Sequence, residues 1–146
     1  MLVGHLGVGL IGKRVEPKIS LGTWILAALL ADFVCFPLMI AGVESFRHGA
    51  GHIPYSHSLL MLAIWAALFG VAFFALRRSR AGALLLACAV LSHWVLDAIS
   101  HPPDMQLSPG VSAFGLDLWN SVPATLIVEG GFWALAILIY LRMTHA

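Results

Sequence analysis

The chain has 146 residues, of which 60% are apolar and 10% charged, where an ordinary soluble domain carries about 25% charged residues. Eight basic and seven acidic side chains cannot clothe a water-exposed surface, and a mean hydropathy of +0.93 agrees. A soluble enzyme, a disordered segment and a nucleic-acid partner are disfavoured; one integral membrane domain, 1–146, is expected, with the lipid bilayer as its surroundings. The net charge of +1 carries no information about partners.

In chain order, Leu2–Gly12 comes first. It is apolar but too short to cross a bilayer, covering at about 1.5 Å per residue only half the hydrocarbon core. It is expected to lie in the interface or to dip in as a re-entrant half-helix. Gly4, Gly7, Gly9 and Gly12 give it either a small-residue surface for close helix approach or mere flexibility. No positive charge precedes this stretch, so it does not read as a signal peptide. Four segments are long enough to span: 20–43, 57–76, 81–100 and 122–141. The fold class is therefore all-α, an integral membrane bundle of four transmembrane helices plus the short N-terminal helix. Cys35 and Cys88 fall inside apolar runs and read as buried small hydrophobes rather than a disulfide.

Lys13, Arg14, Lys18, Arg77, Arg78, Arg80 and Arg142 all fall on one side of a four-span chain, with Arg47 alone on the other. The positive-inside rule makes the first side cytoplasmic, together with both termini. The 45–56 and 101–121 loops then face outward.

Three of the acids, Asp32, Asp97 and Glu129, fall inside spans, where a carboxylate costs at least about 2.5–3.5 kcal/mol. His93, Asp97 and His101 recur every four residues and form one helix stripe. Counting at about 1.5 Å per residue from the basic side puts Asp32 and His93 near 18 Å, Glu129 near 20 Å, Asp97 near 24 Å, His57 near 28 Å and His5 near 12 Å. Facing inward, these groups would meet in one slab. Imidazoles with carboxylates are the ligand set of zinc and similar divalent ions, and such an ion would neutralise the buried acids.

Each residue has a plainer alternative. His93 and Asp97 could be a buried hydrogen-bonded pair, and Asp32 could pair with Trp24 or a backbone group, or be protonated. His57, in Ser56-His57-Ser58, could belong to a helix cap. Glu129, followed by Gly130-Gly131 that allow close packing, reads as a supporting or proton-handling residue rather than a ligand. His48 and His52 read as solvated loop residues, Asp104 and Asp117 as turn residues, and the five tryptophans mostly as interfacial anchors or lipid-facing bulk.

Gly-His5-Leu-Gly, Leu-Leu-Ala-Asp32, Ser-His57-Ser-Leu-Leu and Ser-His93-Trp-Val-Leu-Asp97, in this order, resemble the bacterial inner-membrane metal-dependent hydrolase-like family (YdjM-like). The resemblance covers most of the chain to about residue 104. That family is itself distantly similar in His/Asp order to zinc-dependent phospholipase C. The resemblance implies a divalent-metal centre, zinc first among the choices, and hydrolysis of a phosphoester or another lipid-linked bond. Two departures weigh against a second metal. Ala31-Asp32-Phe33-Val34 lacks the second carboxylate of the family's Pro-Asp-x-Asp, and Arg47-His48-Gly49 stands farther than usual from Ser56-His57.

The expected function is thus a membrane hydrolase at the outer face of the inner membrane, acting on an amphiphilic or lipid-linked substrate. His5, Asp32, His57, His93 and Asp97 would be its metal ligands, Asp32 a bridging ligand or general base, and Glu129 a supporting catalytic residue. Two rivals remain. One is proton or divalent-cation transport, for which four spans are few, so that a homo-oligomer would be needed. The other is a non-catalytic membrane subunit with a polar core.

Overall fold

The computed structural model describes residues 1–47, 50–111 and 113–144; His48 and His145 lie outside them. Six α-helices make up most of the described chain: α1 (Leu2–Val15), α2 (Leu21–Ala28), α3 (Leu30–Ile40), α4 (Leu59–Arg77), α5 (Arg80–Ser100) and α6 (Val122–Thr144). Two small antiparallel ribbons interrupt the loops. β1 (Ser45–Arg47) pairs with β2 (Ala50–His52), and β3 (Met105–Gln106) with β4 (Ala113–Phe114). Both ribbons fall where the sequence reads only as Gly- and Pro-rich loop.

Helix starts follow local chemistry. Ser20, Ser58 and Ser79 precede α2, α4 and α5, and each hydroxyl accepts the backbone N–H three residues on, satisfying a donor that the helix itself leaves unpaired. α4 closes on Arg78 in the left-handed region, whose N–H reaches Phe74 O at 2.8 Å.

Helices α4, α5 and α6 are each long and apolar enough to cross a membrane. The expected first span, 20–43, is not one straight helix. It breaks at Leu29 into α2 and α3, bent by 55°, so the described residues hold three candidate spans, or four if the bent pair counts as one. Pro37 lies well beyond the bend. At the bend itself the carbonyl of Ala28 accepts a hydrogen bond from His93 Nδ1 at 2.8 Å, and a side chain inserted into the helical ladder is a recognised cause of a kink.

The core is lean. Ala27, Ala31, Leu62, Ala66, Leu86 and Val90 pack with Trp24 where α2, α3, α4 and α5 meet. Alanine and glycine bring the helices close: a Cβ on Gly70 of α4 would stand 3.1 Å from Ala83 O of α5. The glycines of α1 are likewise a contact surface. Gly7 meets Phe132 and Ala136 of α6, and Gly9 and Gly12 meet Ile25 and Trp24 of α2. Gly130 and Gly131 correct an expectation. A Cβ on either would meet nothing within 4 Å, so they face outward and do not serve close packing. Among the described side chains of α6, only Ala136 is buried. Cys35 is buried and Cys88, contrary to expectation, is exposed; both are free.

Candidate metal centre

Four chain segments converge at the end of the bundle opposite the basic turns. α5 brings His93, Asp97 and, just past its last residue, His101; α1 brings His5, the first turn of α3 brings Asp32, and the turn before α4 brings His57. His93 is 0% exposed and Asp97 2%. His93 Nε2 lies 3.1 Å from Asp97 Oδ2, 3.2 Å from His57 Nε2 and 3.8 Å from Asp32 Oδ1. His57 Nε2 lies 3.5 Å from Asp32 Oδ1 and 3.8 Å from Asp97 Oδ2. His5 Nε2 is 3.0 Å from Asp97 Oδ1, and its ring stacks on that of His93 with centroids 3.7 Å apart. The Met1 nitrogen adds a contact of 2.6 Å to Asp97 Oδ1.

The direction of the hydrogen bonds matters more than the distances. A carbonyl oxygen only accepts, so the proton of a neutral His93 sits on Nδ1, facing Ala28 O, and its Nε2 lone pair faces the cluster. His57 Nδ1 is likewise engaged away from the cluster, at 2.6 Å from Ser56 Oγ. The Nε2 lone pair of His93 and two carboxylates therefore point into one small volume, with His57 Nε2 beside them. Such an array of acceptors needs a cation or added protons between its members.

The separations suit a cation. Ligands at about 2.0–2.2 Å in a tetrahedral zinc site stand about 3.3–3.6 Å from one another, and those given above run from 3.1 to 3.8 Å. Two overlapping trios have ligand atoms close enough to share an ion: His57 with His93 and Asp97, and His5 with Asp32 and His93. The residues present thus fit a single divalent ion, with His93 common to both trios.

Beside the cluster lies a cavity of about 430 Å³, lined by His5, Asp32, Phe33, His57, Asp97 and Trp119 among others. The two acids differ in their access to it. The Asp32 side chain is 45% exposed and that of Asp97 only 3%. His101 closes one side. Its ring tilts against Trp119 with centroids 4.4 Å apart, and its Nδ1 lies 3.2 Å from Asp104 Oδ1. Burial holds the His101 imidazole below the usual histidine range, against the pull of Asp97 and Asp104.

All five expected ligands, His5, Asp32, His57, His93 and Asp97, come together. Glu129 does not join them; it accepts a hydrogen bond from Trp119 Nε1 at 3.0 Å and reaches the cavity only through that indole. The alternative of Asp32 pairing with Trp24 is not seen. Trp24 is buried in the core, and its Nε1 has no hydrogen-bond partner among the described residues. Nor do the tryptophans serve only as anchors: Trp65 and Trp94 donate to Tyr55 O and Gln106 O, tying the 41–58 and 101–121 connections to the helices. Asp117 is a turn residue as expected, with φ 55°, and His52 is exposed. Glu44 and Ser56 were missed. Glu44, 2% exposed, accepts the Ser56 hydroxyl at 2.7 Å. Its one sequence signal is that it is the single acid of the 41–58 connection.

Long apolar helices around a buried imidazole–carboxylate cluster define a polytopic helical membrane protein with a polar centre near one end of its bundle. The chain belongs to the YdjM inner membrane protein family, whose model matches residues 1–145. No curated protein and no solved structure matches it.

Proposed function

We propose that this protein is a divalent-metal-dependent hydrolase of the inner membrane, cleaving a phosphoester or another lipid-linked bond. The observation that carries the reading is the inward convergence of the His57 and His93 Nε2 atoms with Asp32 and Asp97. His57, His93 and Asp97 would hold the ion, zinc by ligand type, with His5 and Asp32 completing its surroundings. When bound, such an ion supplies Lewis-acid activation of water and of the scissile bond.

The remaining chemistry belongs to the chain. Asp32, the wetter carboxylate, is suited to take a proton from water in the cavity, while Asp97, at 3% exposure, offers it far less surface. Glu129 holds the Trp119 indole that walls the cavity, a supporting role. Phe33 lines the cavity yet is 56% exposed, so an acyl chain would have an apolar surface beside the site. By the positive-inside rule both termini and the basic turns would be cytoplasmic and the centre would face the outer leaflet, where a lipid head group lies. A phosphoester is the bond that the family's proposed likeness to zinc-dependent phospholipase C in His/Asp order would favour.

The interior between the centre and the basic end favours hydrolysis over transport. On α2, α4 and α5 that layer holds the apolar, buried Ala27, Ala66, Leu86 and Val90 of one continuous core. An ion pathway would need polar groups through that layer.

Elemental analysis of detergent-purified protein tests the reading. About one equivalent of zinc or a similar ion, lost in His93→Ala and in Asp97→Ala, is expected, followed by activity in a screen of lipid phosphoesters. A metal-free wild type, after preparation without chelators and zinc repletion, would overturn it.

A further inference from the structure

We propose that Glu44 is a positioning residue for the metal centre, acting through Ser56 to fix which nitrogen of His57 carries the proton. The proposal rests on the metal reading above and adds to it two residues that lie outside the cluster.

A carboxylate has no proton to give, so its neighbours must be donors. Glu44 Oε1 takes the backbone N–H groups of Tyr55 and Ser56, each at 2.8 Å, and Oε2 takes the Ser56 hydroxyl at 2.7 Å. The single hydroxyl proton of Ser56 is thereby committed to Glu44. Toward His57 Nδ1, 2.6 Å away, the Ser56 oxygen is left only as an acceptor. The His57 proton therefore sits on Nδ1, and the Nε2 lone pair faces His93 Nε2 at 3.2 Å and Asp32 Oδ1 at 3.5 Å. His93 reaches the same orientation with a backbone carbonyl, Ala28 O. Carboxylates and carbonyls behind ligating histidines are the usual means of aiming them at a metal. Glu44 is buried, and among the described residues no lysine or arginine forms an ion pair with it.

Glu44→Gln separates this role from merely holding the loop. The Gln oxygen still accepts the two backbone N–H groups, so the 44–56 connection is kept. Its amide nitrogen, however, must donate to Ser56 Oγ. Ser56 then donates to His57 Nδ1, the ring proton moves to Nε2, and an N–H faces the centre where a lone pair stood.

The experiment titrates full-length protein in detergent with zinc against a chromogenic chelator. It compares wild type, Glu44→Gln, His57→Ala and the double variant, and records the melting of each metal-free form. Zinc affinity is expected to fall about 10–100-fold in Glu44→Gln, with metal-free melting within about 2 °C of wild type. The double variant should bind no more weakly than His57→Ala alone, because both changes remove the same ligand. Ser56→Ala, which leaves the backbone clamp in place, should also weaken zinc binding. Nitrogen NMR of labelled histidines reads the tautomer directly: Nδ1–H in wild-type His57, Nε2–H in Glu44→Gln. Wild-type zinc affinity in Glu44→Gln, or an unchanged His57 tautomer, overturns the proposal and leaves the metal reading standing. A wild type that binds no zinc brings down both.

Discussion

The seat of α1 on α2 can be broken by one methyl group. A Cβ added at Gly12 would lie 2.5 Å from Trp24 Cδ2, 2.8 Å from Cζ3 and closer still to Cε3, whereas carbon atoms in contact rest at about 3.5–4.0 Å. The indole cannot retreat easily, because Trp24 is 3% exposed and packs in the core. Overpacking of this kind costs about 1–3 kcal/mol, offset by the roughly 0.5–1 kcal/mol that alanine gains over glycine inside a helix. Gly130→Ala receives the same helical gain without the clash, since nothing lies within 4 Å of its Cβ position. The difference between the two variants isolates the contact at about 1–3 kcal/mol, and 2 kcal/mol corresponds to about 4–8 °C of melting temperature for a chain of this size. Thermal melting in detergent, followed by circular dichroism, measures it. Because α1 carries His5 two turns above Gly12, zinc affinity should fall in Gly12→Ala and hold in Gly130→Ala. Equal melting of the two variants would refute the seating of α1 against Trp24.

Two further outcomes concern the 101–121 connection. A Cβ on Gly115 would collide with the backbone carbonyls of His101 and Pro102, so Gly115→Ala should lift the 113–117 segment from the end of α5. That breaks the bond from Asp117 N–H to His101 O at 2.8 Å and should lower the melting temperature by several degrees, while Gly110→Asn, at a φ of 82° that asparagine tolerates better than most residues, changes it little. Ser108→Cys, in the loop that the charge distribution turns outward, should react with a membrane-impermeant maleimide on intact inner-membrane spheroplasts; labelling only in inverted vesicles would reverse the proposed orientation.

The residue types of the centre were legible because lipid makes them conspicuous: an acid or imidazole within an apolar run has few structural excuses. The partners that orient those residues were not. Ser56 sits in Ser56-His57-Ser58, where either serine suits a helix cap. The structure divides the work, Ser58 capping α4 by accepting Met61 N–H and Ser56 turning to Glu44. The bend at Leu29 was hidden for a related reason. No proline or glycine marks it; the group at the bend comes from His93, far along the chain. Tertiary hydrogen bonds of this kind leave no periodic trace.

Depth counting along spans failed most where the chain does not run straight from one face to the other. It put His57 about 10 Å above His93, yet their Nε2 atoms are 3.2 Å apart. Ser56, His57 and Ser58 are all buried, so the turn before α4 folds down into the bundle instead of standing at its rim. Counting put His5 about 12 Å below Asp97, yet they touch at 3.0 Å, because the start of α1 reaches the level of the last turns of α5. Glu129 is the converse. Counting put it about 2 Å from the level of His93, but α6 packs chiefly on α1, and the carboxylate points to Trp119. Height along a helix says which groups share a layer. Which of them meet is decided by helix neighbours and by loops that fold inward, and in this chain both are set by contacts between residues far apart in sequence.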